Sequence, residues 1–146
     1  MHRRNNSDLI TTPGPADLFT GQVWVDALTP DAPDIETKLL RVTFSPGART
    51  AWHIHPHEQI LVVTLGRGLL QRKGEAPQVM TPGDTLIVQA GEQHWHGAAP
   101  DSLMQHLAIQ PALASHATQW LAHVADGDDH LPPPEPKERH HACDAV

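Results

Sequence analysis

The sequence predicts an all-β domain, a sandwich or a small barrel, and three observations support this fold class. Fourteen prolines and ten glycines in a chain of 146 residues imply many turns, which favours strands over long helices. Short apolar segments recur between these turns at regular spacing, a pattern typical of antiparallel β-structure. The length is that of one domain with a hydrophobic core of its own.

Nine strands are predicted from the apolar segments. Each ends at a turn rich in glycine, proline or charged residues, for example SPG at 45–47 and TPGD at 81–84, where the backbone preferences of glycine and proline favour a turn. The predicted strands are Gln22–Ala27, Lys38–Phe44, Thr50–His53, Gln59–Leu65, Leu69–Arg72, Gln78–Met80, Thr85–Val88, His94–Gly97 and Leu103–Ile109.

The two ends of the chain are expected to differ from this domain, which is predicted to span residues 14–125. Residues 1–13 are predicted to form a flexible N-terminal arm. In LASHATQWLAHV, residues 113–124, apolar residues recur at helical spacing, so a short C-terminal helix packed on the strands is predicted. Residues 126–146 are acidic, proline-rich and nearly free of core residues, so a disordered tail is expected.

Charge and composition exclude several classes of partner. The net charge is −7 and the basic residues form no stripe, so no nucleic-acid partner is expected. No apolar run approaches the roughly 20 residues of a membrane span, so no membrane partner is expected. The N-terminal segment has no apolar centre of a signal peptide, and the single Cys143 cannot form an internal disulfide framework. A cytoplasmic protein is therefore expected.

Histidines are concentrated in the middle of the chain. Six of the twelve fall between residues 53 and 106. Because alternate residues of a strand point to the same face, His53 and His55 share one face and His94 and His96 share another. Two strands that each present an inward pair of histidines can meet around one metal ion inside a barrel.

The spacing of these residues resembles two signature motifs of the cupin superfamily. GARTAWHIHPHEQILVVTLG, residues 47–66, resembles the first motif, and QAGEQH, residues 89–94, resembles the second. The resemblance implies a single cupin jelly-roll barrel, also called a double-stranded β-helix. It also implies a divalent metal and its ligands. These ligands are His53, His55, Gln59 and His94.

Within the superfamily, the chain resembles small single-domain cupins that act as manganese-dependent hydroxynitrile lyases. The resemblance rests on GPADLFTG at 14–21, PGARTAWHIHP at 46–56, GEQHWHGAAP at 91–100 and HLAIQ at 106–110. It implies reversible cleavage of cyanohydrins to an aldehyde and cyanide, with manganese as the metal and His106 as the catalytic base. Iron, nickel, cobalt and zinc suit the same donors.

Gln59 stands where the first cupin motif has a glutamate, and this changes the charge of the predicted site. Three imidazoles and one carboxamide are all neutral, so a divalent metal would keep its full charge of +2. Such a site stabilises a developing alkoxide or cyanide and disfavours a trivalent metal. The donor set therefore favours Lewis-acid chemistry over redox chemistry. A dioxygenase or a sugar-acid isomerase using the same metal, or a cupin that binds a small molecule without catalysis, are the alternatives.

Four further residues are predicted to line the substrate pocket: Leu40, Val42, His96 and Gln110. Leu40 and Val42 share one face of an early strand, and His96 and Gln110 share faces with His94 and His106. Ordinary packing is the alternative role for the two aliphatic residues and for His96, and a structural hydrogen bond is the alternative role for His106.

Two expectations concern the surface of the protein. Arg49 is expected to lie on it. The apolar faces that a small barrel leaves outside are commonly covered by another copy, so a homodimer or homotetramer acting on a small-molecule substrate is expected.

Overall fold

The structure is a computed structural model and describes residues 1–112 and 117–127. Its regular elements there are one 3-10 turn, Asn6–Asp8, and thirteen strands. The strands are β1 Thr12–Pro13, β2 Phe19–Thr20, β3 Val23–Ala27, β4 Thr37–Phe44, β5 Arg49–Thr50, β6 His53–Ile54, β7 Gln59–Gly66, β8 Gly68–Arg72, β9 Gln78–Met80, β10 Thr85–Val88, β11 His94–Ala98, β12 Met104–Pro111 and β13 Gln119–Trp120.

The strands form two antiparallel sheets. The first has the order β1-β3-β4-β12-β7-β10. In the second, β11 pairs with β5, β6 and β8, while β13, β2 and β9 extend it at its margins. The prediction of an all-β jelly-roll fold is confirmed. No helix in the described part of the chain is long and apolar enough to cross a membrane.

The core lies between the two sheets. Alternate residues of β4, β7 and β12 point inward, and Phe44, Leu61 and Met104 among them are fully buried. A second, smaller cluster contains Trp52 and Trp95. Burial of the apolar side chains of both sheets stabilises the fold, at about 1.5–3 kcal/mol for each large side chain.

The structure corrects the predicted C-terminal helix. Residues 113–116 lie outside the described residues, and the remainder of the segment contains the strand Gln119–Trp120 rather than a helix. Trp120 pairs with His53, and the Leu121 amide donates to the Trp52 carbonyl at 2.8 Å. Hydrogen bonds to an open sheet edge therefore prevail over the helical apolar spacing, and Trp120 stays partly exposed.

The predicted strand Thr50–His53 is two short strands in the structure. Arg49–Thr50 and His53–Ile54 both pair with β11, but the two residues between them do not. The Ala51 amide donates to the Leu18 carbonyl at 2.8 Å, and the Trp52 amide donates to the Ala122 carbonyl at 3.0 Å. The interruption lets segments from both ends of the chain pair beside the histidines.

The domain boundaries at residues 13 and 125 stay predictions. Within the predicted N-terminal arm, β1 pairs with β3 through Thr12 and Pro13. Residues 128–146, which make up most of the predicted tail, lie outside the described residues.

A tight turn between β7 and β8 depends on Gly66, so its replacement by alanine is expected to destabilise the fold. Gly66 has a φ of 71°, and an added Cβ would overlap the Leu103 carbonyl. Gly66→Ala should lower the free energy of unfolding by about 2 kcal/mol or more, measured by denaturant titration. Gly74 has a φ of 85° but open space around it, so Gly74→Ala is the matched control with the smaller effect. Equal losses in the two variants would contradict the overlap argument.

Candidate metal centre

Two neighbouring strands bring the first two predicted ligands together. His53 of β6 lies directly opposite His94 of β11 in the antiparallel register, and the two ring centroids are 4.2 Å apart. Their exposed fractions are 1% and 0%. The sequence pattern placed both on inward faces, and the register makes them neighbours.

The hydrogen bonds of these two rings fix their tautomers. Nδ1 of His53 is 2.9 Å from the Ala51 carbonyl, and Nδ1 of His94 is 3.0 Å from the Glu92 carbonyl. Because a carbonyl oxygen can only accept, both Nδ1 atoms carry the hydrogen, which leaves a lone pair on each Nε2. Nε2 of His94 is buried without a hydrogen-bond partner among the described residues. This is the tautomer that binds a metal through Nε2.

His55 follows β6, and its ring lies beside the pair. Its ring centroid is 4.9 Å from that of His53 and 5.4 Å from that of His94. Nδ1 of His55 is 3.0 Å from the hydroxyl oxygen of Thr118, while its Nε2 is buried with no partner in the described part of the chain.

Gln59, the first residue of β7, is oriented by Gln110 of β12. Its amide nitrogen donates to the Gln110 side-chain oxygen at 2.9 Å. Its own Oε1 is buried with no hydrogen-bond partner within residues 1–112 and 117–127. An unpaired buried amide oxygen is costly, and a cation would satisfy it.

The structure groups His96, rather than the predicted ligand His55, with His53 and His94. Ligand atoms of His53, His94 and His96 all lie within 4.8 Å of one another, so these three residues form a group that could hold a metal ion. Sequence reasoning placed His96 in the substrate pocket rather than in this group. Unpaired nitrogens and one amide oxygen, all neutral, thus fit a divalent metal.

Burial keeps the imidazoles neutral. It lowers the pKa of His53 and of His96 well below the ordinary value and also lowers that of His94. Burial lowers the pKa of His55 to about 4, helped by the nearby His94 and opposed by the Gln59 amide. A metal ligand must be deprotonated, so these rings are ready to bind at neutral pH.

His106 lies behind His96 rather than among the predicted ligands. Nε2 of His106 is 3.0 Å from Nδ1 of His96, and both rings are buried. Nδ1 of His106 and Nε2 of His96 have no partner among the described residues. Burial lowers the pKa of His106 to about 4. The two neutral rings carry two hydrogens between them, one in the shared hydrogen bond and one on an outer nitrogen, so only the other outer nitrogen keeps a lone pair.

The other predicted pocket residues are divided between the core and a groove. Val42 is buried in the main core, with Leu40 packed against it, and the two pair with His106 and Ala108 of β12. Gln110 lines a groove of about 1000 Å³. Thr118 lines the same groove. The groove therefore borders the two side chains that contact Gln59 and His55.

Two features of the site were missed or mistaken at the level of sequence. The apolar spacing around Thr118 predicted a helix, and no local signal indicates that its hydroxyl contacts His55. Arg49 was expected at the surface, but it is only 7% exposed. Its guanidinium donates to the carbonyl of Val124 and to Asp126, both at 3.2 Å, so the last described residues cover it.

A two-sheet jelly roll with buried histidines on β6 and β11 defines a cupin, and this chain belongs to the cupin family. The family model described as "Cupin domain" matches residues 40–109. The chain is similar to the (R)-mandelonitrile lyase of Granulicella tundricola, with 53% identity over 114 residues that cover 77% of this chain and 86% of that relative.

Solved structures show the same fold. A cupin-like protein from Thermotoga maritima is 39% identical, with a TM-score of 0.77 over 81% of this chain and 90% of its own. A polyketide cyclase from Streptomyces resistomycificus is 18% identical, with a TM-score of 0.67 over 88% and 89% of the two chains. The second likeness concerns the fold alone.

Proposed function

We propose that this protein is a metal-dependent hydroxynitrile lyase that cleaves cyanohydrins reversibly to an aldehyde and cyanide. The observation that carries the proposal is the neutral donor set: unpaired, buried nitrogens of histidines and the unpaired oxygen of Gln59, with no carboxylate among them. The 53% identity to a protein named as a mandelonitrile lyase supports the class of reaction.

The proposed ligands are His53, His55, Gln59 and His94, and the proposed metal is manganese. When bound there, a divalent ion supplies an uncompensated positive charge that stabilises developing negative charge on oxygen and on cyanide. The protein's part is to orient the donors. Backbone carbonyls accept hydrogen bonds from His53 and His94, and the Gln110 side chain accepts one from Gln59, so these donors are oriented before a metal binds.

The proton is proposed to move through the His96–His106 pair. His96 has one ring nitrogen within 4.8 Å of ligand atoms of His53 and His94, and its Nε2 has no partner among the described residues. In this proposal Nε2 takes the hydroxyl proton of the cyanohydrin while the hydrogen on Nδ1 shifts to His106. His106 is then the base that holds the positive charge. As the proton leaves, the bond between the carbinol and nitrile carbons breaks, and its electron pair departs with cyanide. Return of the proton yields hydrogen cyanide and the neutral pair.

We also propose that the protein acts on a small molecule and assembles as a homodimer or homotetramer. The groove beside Gln110 and Thr118 suits a small-molecule substrate. Trp24 and Ile87 are exposed on the outer face of the six-stranded sheet, which supports a homodimer or homotetramer. We propose a cytoplasmic location, with no nucleic-acid or membrane partner.

The direct test is cleavage of mandelonitrile by manganese-loaded protein, followed as release of benzaldehyde. Turnover is expected for the loaded protein and only the uncatalysed rate for the chelated protein. His94→Ala should lose both bound metal and turnover, because it removes a donor that is fully buried at the centre of the histidine group. Leu65→Ala, an exposed residue away from the site, is the control that should keep both.

Bound metal without turnover would overturn the lyase proposal. Oxygen uptake with a phenolic substrate would then support a dioxygenase, and ketose formation from a sugar acid would support an isomerase. Retention of a small molecule without conversion would support a binding protein.

A further inference from the structure

The last described residues, 117–127, lie against the metal centre and are here called the C-terminal strap. Its strand β13 pairs with β6, with Gln119 opposite Ile54 and Trp120 opposite His53. The pairing continues where the Leu121 amide donates to the Trp52 carbonyl at 2.8 Å. The strap thus adds an antiparallel strand beside β6, which carries the predicted ligand His53.

Two side chains of the strap touch predicted ligands. The ring of Trp120 stacks on that of His53, with centroids 4.7 Å apart and planes 30° apart. The hydroxyl oxygen of Thr118 is 3.0 Å from Nδ1 of His55.

The far end of the strap is held independently of these contacts. Val124 is 4% exposed and packs with Trp52 and Trp95. The Arg49 guanidinium donates to the Val124 carbonyl. Loss of the Thr118 hydroxyl would therefore leave several other contacts that keep the strap on the barrel.

His55 differs from the other two predicted histidine ligands in what holds its ring. Backbone carbonyls two residues away hold His53 and His94, so these contacts form wherever the local strand forms. The partner of His55 is a side chain 63 residues away in sequence. The orientation and tautomer of this one ligand therefore depend on docking of the strap.

A hydroxyl can donate or accept, and the surroundings of Nε2 decide which occurs here. Nε2 of His55 is buried and makes no hydrogen bond within the described part of the chain. A hydrogen on Nε2 would be buried and unsatisfied, whereas a lone pair there is a metal donor. The arrangement is consistent when Nδ1 of His55 donates to the oxygen of Thr118.

We propose that Thr118 is a positioning residue of the metal centre, whose hydroxyl fixes the metal-binding tautomer of His55 and so couples strap docking to metal affinity. The inference rests on the proposed metal centre but not on the lyase reaction. Because coupling between two binding events is reciprocal, bound metal should also hold the strap more tightly.

The test compares manganese affinity of the full-length protein and three variants by competition with a fluorescent chelator. Thr118→Val keeps the shape of the side chain but removes the hydroxyl, and it should bind manganese about 10- to 100-fold more weakly. Thr118→Ser keeps the hydroxyl and should restore affinity to within a few-fold of the wild type. A purely structural role for the side chain would not show this pattern of rescue.

Thr20→Val is the matched control. The Thr20 hydroxyl is 3.3 Å from Nδ1 of His123, so it also joins the barrel to the strap through a hydroxyl–imidazole contact. His123 is not a predicted ligand, so this variant should bind manganese as the wild type does. Equal weakening in Thr20→Val and Thr118→Val would show that any loosening of the strap suffices and would overturn the specific role of Thr118.

Hydrogen exchange of the Leu121 amide provides the reciprocal measurement. Manganese should slow this exchange in the wild type and in Thr118→Ser, and much less in Thr118→Val. If the wild type binds manganese and Thr118→Val binds it equally well, this inference is wrong and the metal centre stands. If the wild type binds no divalent metal, the proposed metal site is wrong, and so is the proposed role of Thr118.

Discussion

Replacement of His106 by alanine is expected to lower turnover of a cyanohydrin by about 10²- to 10⁴-fold, the range for loss of a general base. Metal content should be unchanged, because Nε2 of His106 bonds to His96 rather than to a predicted ligand. The pair would lose the ring that accepts the shared hydrogen, and His96 alone would have to hold the positive charge in a buried site. The measurement is benzaldehyde release from mandelonitrile, with metal content determined on the same samples.

Gln105→Ala is the matched control for this variant. Gln105 precedes His106 on β12, points to the opposite face and bonds to Thr43 and Thr64. It should keep turnover within a few-fold of the wild type. Full turnover by His106→Ala would contradict the assignment of the base, and loss of metal from that variant would show that His106 supports the ligand group instead.

Metal-free protein is expected to lose stability steeply as the pH falls from about 6.5 toward 4. Burial lowers the pKa of His53, His94 and His96, and it lowers the pKa of His106 to about 4. In the unfolded chain these rings return to a pKa near 6.5. Between the two values the unfolded chain binds more protons, so stability rises with pH and is lost on acidification. His106 alone contributes about 3 kcal/mol across this window.

The check is a series of denaturant titrations of chelated protein between pH 4.5 and pH 7.5. His106→Leu removes one titrating ring and should make the dependence on pH shallower by up to about 1.4 kcal/mol per pH unit. Val88→Ala lowers stability by creating a small cavity in the core and should leave that dependence unchanged. A free energy of unfolding that stays flat down to pH 4.5 would mean that these rings protonate in the folded state.

Much of the fold followed from local patterns. Turn residues bounded the apolar segments so clearly that β9 and β10 have the bounds predicted from sequence, Gln78–Met80 and Thr85–Val88. The helix prediction failed at residues 117–124, because an apolar period describes which side chains are buried but not which backbone partner is available. β6 had an open edge, and a sequence pattern contains no information about such an edge.

Some features of the candidate site were also predictable from local patterns, and others were not. Strand alternation predicted that His53 and His94 face the same interior, and the register places them opposite each other. The orientation of each ring was not predictable, since it depends on carbonyls and side chains that arrive only in the folded chain. The burial of Arg49 was missed for the same reason, because Val124 reaches it from 75 residues away in sequence.

The order of residues was sufficient to predict the fold class and the strands that carry the histidines, and it makes the proposed donors, including Gln59, neutral. Strand alternation and residue charge are local properties, so they can be read from the order of residues. The folded chain was needed to show that His96 lies with His53 and His94, that His106 contacts His96, and that Thr118 contacts His55. These are contacts between residues far apart in the chain, and they exist only once sheet register and strap docking have brought the side chains together.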